Sequence, residues 1–203
     1  MSTTDGTRVG RPRSTPSASG TGARDEILDA AAALFAERGY AGTTTRAIAE
    51  RVGIRQASLY YHFAGKDEIL LELLETSVRP SLDFVEGLRD APDPVAALHA
   101  LAVTDVGTLL ASPHNIGALY LAHEVEEPRF QSFRDHRAQL QQAYADLAAA
   151  IRPGSDAAFL GACCMQLVEL VIPMRRASEP DPGIAASIGQ ACLRVVGAEG
   201  PRH

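Results

Sequence analysis

Residues 43–66 read Thr-Thr-Thr-Arg-Ala-Ile-Ala-Glu-Arg-Val-Gly-Ile-Arg-Gln-Ala-Ser-Leu-Tyr-Tyr-His-Phe-Ala-Gly-Lys, and such a stretch can be built in few ways. One of Thr43, Thr44 or Thr45 caps a short helix that buries Ile48 and Val52. Gly53 permits a tight turn. A second short helix, about 55–63, offers Leu59 and Phe63 to a core at i, i+4 spacing and carries Arg, Gln, Ser, Tyr and His on its other faces. A helix-turn-helix presents side chains to the DNA major groove in this way.

The remaining chain reads as helical throughout. Ile27, Ala31, Leu34 and Phe35 form one apolar stripe over 24–38, and Gly39 stops that helix. A fourth helix starts near Lys66, with Ile69, Leu70, Leu73 and Leu74 as its stripe, and ends before Pro80. Further helices are expected at 81–89, 94–111, 115–124, 129–151, 155–177 and 182–196, punctuated by Pro-rich joints. Pro173 sits late in the 155–177 helix, where a kink is expected. Apolar residues make up 46% of the chain while aromatics are only 5%, so Leu, Ala, Val and Ile must fill the core. The fold class is therefore all-α: a tail over 1–23, a helix-turn-helix domain over 24–66, and a helical body over 67–203. The tail lacks a hydrophobic period and is expected to be disordered and basic; its Gly10-Arg11-Pro12-Arg13 also resembles a minor-groove hook.

Charge and cysteine usage narrow the function. The net charge of −6 divides unevenly: residues 1–66 hold nine basic and six acidic groups, a net of +3, leaving −9 for the rest. A DNA-facing end on a phosphate-repelling body fits that asymmetry, as does chance segregation. An architectural protein that coats DNA would need a broad basic surface, which the acidic body denies it. Cys163, Cys164 and Cys192 fit neither a disulfide framework nor a zinc site and read as small buried hydrophobes. No secretory signal is visible, and the apolar run 157–174 is interrupted by Gln166 and Glu169, so a cytoplasmic protein with no membrane span is expected. An enzyme is the alternative of a different class. His123 and Glu127 stand at i, i+4 without a third ligand at recognisable spacing, and no phosphate loop or nucleophile motif occurs, so no cofactor or metal is expected.

Residues 24–74 resemble the DNA-binding domain of TetR-family transcriptional regulators. Ile27, Ala30, Ala31, Leu34, Phe35, Gly39, Tyr40, Thr43-Thr44-Thr45, Ile48-Ala49, Val52-Gly53-Ile54, Leu59-Tyr60-Tyr61-His62-Phe63 and Lys66 carry the resemblance. The family often has Ser or Thr before that lysine, where this chain has Gly65; glycine also serves as an N-cap. The resemblance implies a ligand pocket enclosed by helices four to seven. It also implies a homodimer in which the last two long helices form a four-helix bundle with their copies. A dimer implies a palindromic double-stranded operator. The implied function is a ligand-responsive regulator, a repressor before an activator, released by a small organic molecule.

Arg46 and Gln56 have base-reading chemistry, Arg for guanine and Gln for adenine, and the family uses corresponding positions so. Arg55 and Ser58 reach bases or phosphates; Thr45, Tyr60, Tyr61, His62 and Lys66 are expected to position phosphates. For Tyr61 and His62 a place in the core stays open, and Arg51 reads as a solvated charge. Expected pocket side chains are Leu101, Thr104, Thr108, Tyr120, His123, Phe133, Tyr144 and Gln166, with Phe130, Met165 and Met174 beside them. The dimer surface is expected on the stripes Leu160, Cys164, Leu167, Val168, Val171 and Ile184, Ile188, Cys192, Val195. Gly161, Ala162, Ala185, Gly189 and Ala191 would allow close approach.

Overall fold

The computed structural model describes residues 22–88 and 91–198, so the expectations for the tail, including its Arg-Pro-Arg, lie outside the described residues. Those residues form α1 (Ala23–Arg38), α2 (Thr45–Val52), α3 (Gln56–His62), α4 (Lys66–Gly87), α5 (Pro94–Ala111), α6 (Gln131–Ile151), α7 (Ala157–Glu169), α8 (Val171–Ala177) and α9 (Ile184–Val196). Among the described residues there is no strand.

The three adjacent threonines take three different jobs. Thr43 is buried, and its hydroxyl lies 2.9 Å from the Gly39 carbonyl and 3.2 Å from that of Leu34. Thr44 caps α2, accepting from the Ala47 N–H at 3.1 Å. Thr45 opens the helix proper. At the other end Gly53 adopts φ 79°, ψ 25°, a left-handed conformation that an L side chain resists. The Ile54 N–H then reaches back to the Ala49 carbonyl and the Gly53 N–H to that of Glu50, closing the helix and aiming the chain into α3.

α4 corrects the first sequence expectation, because it runs through Pro80 to Gly87. Proline deletes one backbone bond and disfavours a helix interior by about 3 kcal/mol. Packing on both sides of it overrides that: Leu70, Leu74, Val78 and Ser81 continue one buried stripe, and the Ser81 hydroxyl donates to Asp105 on α5 at 2.8 Å. The helix expected over 115–124 is replaced by three 3₁₀ turns, Ile116–Leu119, His123–Glu126 and Pro128–Phe130. Ile116, Leu119 and Val125 are buried at multiples of three, the 3₁₀ period, and Pro128 prevents an α-helical continuation. The helix expected over 155–177 divides at Leu170. Pro173 has no N–H for the Glu169 carbonyl and its ring crowds that group, so the break falls one turn before the proline.

α5 lies at the centre of the body, packed against α4, α6 and α9. The dimer stripes need the largest correction. Cys164, Val168, Val171, Ile188 and Cys192 are core of the single chain. Gly161 serves contact with α6, where a Cβ would come within 2.6 Å of the Ala145 nitrogen, and Gly189 serves contact with α5, where it would meet His99 at 2.9 Å. Leu160, Leu167, Ile184 and Val195 are half-buried against the same core. The stripe left open on α7 and its end is turned round the helix: Phe159, Ala162, Cys163, Gln166 and Leu170. By length and composition alone, Pro94–Ala111 and Ala157–Ala177 could each cross a membrane; the first packs against α4, α6 and α9, and the second carries this open stripe.

Candidate nucleic-acid interface

Leu59 is the one buried residue of α3, and with Phe63, just beyond the C-terminus, it sets the helix into the common core beside α2. Gln56, Ser58, Tyr60 and Tyr61 are exposed, as is Arg55 at the N-cap. Tyr61 is 87% exposed, which removes it from the core, and it stands edge-on to the half-buried His62 with ring centroids 5.3 Å apart. The first turns of α2 and α3 meet through Thr45. Its hydroxyl accepts from the Gln56 amide at 3.0 Å and pairs with the Tyr60 hydroxyl at 3.2 Å; the amide also lies 3.4 Å from Tyr60. These bonds tie the Gln56 amide nitrogen to the start of α2 and to the next turn of α3.

Arg46 projects from α2 beside this cluster and is held by Glu50, Nε to Oε1 at 2.8 Å. That hydrogen bond, and then the charge, push the guanidinium pKa further up, so the group is cationic wherever the protein is folded. Arg51 pairs with Glu37 at 2.8 Å, as a solvated helix-face charge would. Glu50 as the counter-ion of Arg46 escaped the sequence reading, although its i, i+4 spacing was visible.

Lys66, expected to position a phosphate, finds partners within the chain. Its amine turns inward, donating to the Tyr40 carbonyl at 3.0 Å and the Thr43 carbonyl at 3.1 Å, 4.1 Å from the Tyr40 ring centroid. It clasps the α1–α2 connection to the start of α4. Lys66→Ala is therefore expected to cost about 1–3 kcal/mol in denaturant unfolding and leave the salt dependence of DNA binding unchanged. A log–log salt slope smaller by about one would return the amine to a phosphate.

The expected pocket residues do not converge on one cavity. Leu101, Phe130, Phe133 and Tyr144 are fully buried core, and the Tyr144 hydroxyl donates to Asp105 at 3.0 Å. Tyr120 is buried with its hydroxyl 2.8 Å from that of Ser77. Met165 is buried, Met174 half-buried and His123 exposed. Gln166 is exposed and pairs with Glu169. The void bounded by Asp105, Tyr120, Arg137 and Glu169 measures about 10 Å³, the scale of one water. Thr104 and Thr108 alone among the expected set share the groove between α4 and α5. Among the described residues no three His, Cys, Asp or Glu side chains gather as metal ligands would.

Comparison with known proteins agrees with this architecture. Residues 27–73 match the family model of bacterial regulatory proteins, tetR family. The chain is 35% identical over 144 residues to the HTH-type transcriptional repressor KstR2 of Rhodococcus jostii (strain RHA1), spanning 66% of this chain and 68% of that one. The crystal structure of AmtR from Mycobacterium smegmatis superposes with a TM-score of 0.84 at 44% identity over 92% of each chain. AibR, solved with isovaleryl coenzyme A and operator DNA, shares the fold at a TM-score of 0.68 and 16% identity, over 88% of this chain and 99% of that one.

Proposed function

This chain belongs to the TetR family of bacterial transcriptional regulators, and on that premise we propose that two copies hold a palindromic operator until a small molecule releases them. Its relatives are regulators rather than enzymes, so the enzyme alternative is set aside. We divide the chain into a head, 24–66, and a body, 67–203, with α4 as the shared strut. Repression is favoured over activation because a dimer seated on a promoter excludes polymerase without further contacts. The cytoplasm, where such a regulator meets DNA, is its compartment in this reading.

The observation that carries the reading is α3 itself: one buried leucine, with the polar faces turned outward. Gln56, steadied by Thr45 and Tyr60, reads an adenine edge, and Arg46 exchanges Glu50 for a guanine edge. Arg55, Ser58, Tyr60, Tyr61 and His62 lie along the same helix and serve the phosphates or neighbouring bases, as Thr45 does from α2. Two heads on a two-fold axis require half-sites one helical turn apart or a multiple of it. An effector that binds one body conformation better than another shifts the heads out of register. α4 transmits that shift: Lys66 anchors it to the head, and Glu72 pairs with Arg24 of α1.

Selection of bound sites from random DNA is expected to return a palindrome; a set of asymmetric or unrelated sites would overturn the reading. Gln56→Ala is expected to cost about 1–3 kcal/mol at one base pair per half-site and leave binding to random DNA unchanged. Equal losses on operator and random DNA would move Gln56 from base to backbone.

A further inference from the structure

A groove of about 620 Å³, within the range of small-molecule sites, runs between α4 and α5. Its walls are two stripes of identical i, i+3, i+4, i+7 spacing: Leu73, Thr76, Ser77 and Pro80 on α4, and Thr104, Gly107, Thr108 and Ala111 on α5. Leu28 of α1 and Ile116 after α5 also line it, so the groove touches the helix that packs the DNA-binding head.

We propose that this groove is the effector site and that it takes a neutral, mainly aliphatic molecule bearing a hydrogen-bond donor such as a hydroxyl. The inference rests on the effector-released reading above and names where and what the effector is. No charged side chain lines the groove, so a charged ligand would lose hydration there without a counter-ion. The lining hydroxyls offer acceptors. Ser77 donates to the Leu74 carbonyl at 2.6 Å and accepts from the Tyr120 hydroxyl at 2.8 Å, which leaves it one lone pair for a ligand donor; Thr108 donates to the Thr104 carbonyl at 3.0 Å and keeps acceptor capacity of its own.

Gly107 is the independent observation. A Cβ built there meets nothing within 4 Å, whereas at Gly161 and Gly189 it would strike a neighbouring helix. Gly107 also has an ordinary helical backbone, with no positive φ. Neither packing nor conformation calls for glycine at this exposed mid-helix position, where alanine is better; the missing side chain leaves the α5 wall of the groove open. Pro80, on the facing wall, removes the donor that would bond the Thr76 carbonyl, so α4 yields most easily beside the ligand. A molecule wedged between α4 and α5 and against Leu28 thus bends the strut joining body to head.

The test uses the full-length protein and Nile red, a neutral fluorescent probe, in competition with 1-octanol, octanoate and octylamine. Nile red is expected to bind, with 1-octanol displacing it at concentrations about tenfold lower than either charged analogue and weakening operator binding. Gly107→Leu, which adds a bulky side chain to the α5 wall, is expected to lose Nile red binding and octanol response while keeping operator affinity. Gly107→Ala is expected to raise thermal stability, confirming that the position tolerates a side chain. Gly107→Leu that binds Nile red like the parent, or three analogues that compete equally, overturns the site. If another small molecule releases operator equally from parent and Gly107→Leu, the groove assignment falls while effector control stands. Nile red and octanol that occupy the groove without changing operator affinity remove the groove's regulatory role.

Discussion

Phe159→Glu combined with Leu170→Glu is expected to convert the protein to monomers and weaken operator binding about 10²–10⁴-fold, the advantage that linkage gives a second binding event. Phe159 is 64% and Leu170 48% exposed in the single chain, so neither holds the protomer together. They end a stripe along a helical stretch, Ala157–Ala177, whose most apolar window is only 28% buried. An apolar surface of that extent on a DNA-binding regulator calls for a partner, and two-fold symmetry supplies one because the same patch faces itself. A glutamate at either position puts a charge into that apolar patch, where burial against a second copy is costly. Sedimentation should report half the parent mass, with far-UV helicity retained. A double variant that keeps the parent mass and operator affinity would place the dimer surface elsewhere.

The head was legible in the sequence because its instructions are local. The α2–Gly53–α3 unit is written in a cap, a left-handed glycine and the i, i+4 pair Leu59 and Phe63, all within one turn of where they act. Which of three threonines caps α2 was not legible, since that depends on where the chain leaves α1. The inward turn of Lys66 was not legible for a related reason: its two carbonyl partners lie 26 and 23 residues away. In the body, local rules lost to tertiary ones. Pro80 reads as a stop until Ser81 is seen tied to Asp105. Within the stripes of α7 and α9, Cys164, Val168, Val171, Ile188 and Cys192 were assigned to a partner but pack inside the single chain. Cys164 and Cys192 face each other inside one chain, each sulfur near the other's backbone carbonyl, and period alone does not say which apolar face a partner covers. Of the α4–α5 groove only Thr104 and Thr108 were expected, because the α4 stripe means nothing until the two helices are side by side.

Asp105→Asn is expected to stabilise the protein at pH 8 by up to about 3 kcal/mol, with the gain shrinking as pH falls toward 4. Asp105 is a buried carboxyl of α5 that accepts from Ser81 and Tyr144. Burial pushes its pKa up to about 6; the two hydroxyls pull the other way without cancelling it, and nearby Glu169 adds to the rise while Arg137 opposes it. In the unfolded chain the same group titrates near 3.8. Between those values the folded state holds more proton than the unfolded one, so stability from this group is complete below 3.8 and is lost as pH rises through 6. At pH 8 the folded protein therefore carries a buried charge that it resists. Asparagine keeps an oxygen for Ser81 and offers an amide to the Tyr144 hydroxyl, removing the charge while filling the same space. Comparing variant with parent at each pH cancels the other carboxylates, so the difference between their denaturation midpoints isolates Asp105. A variant stabilised equally at pH 4 and pH 8 would show that Asp105 does not titrate between folded and unfolded states as this environment requires.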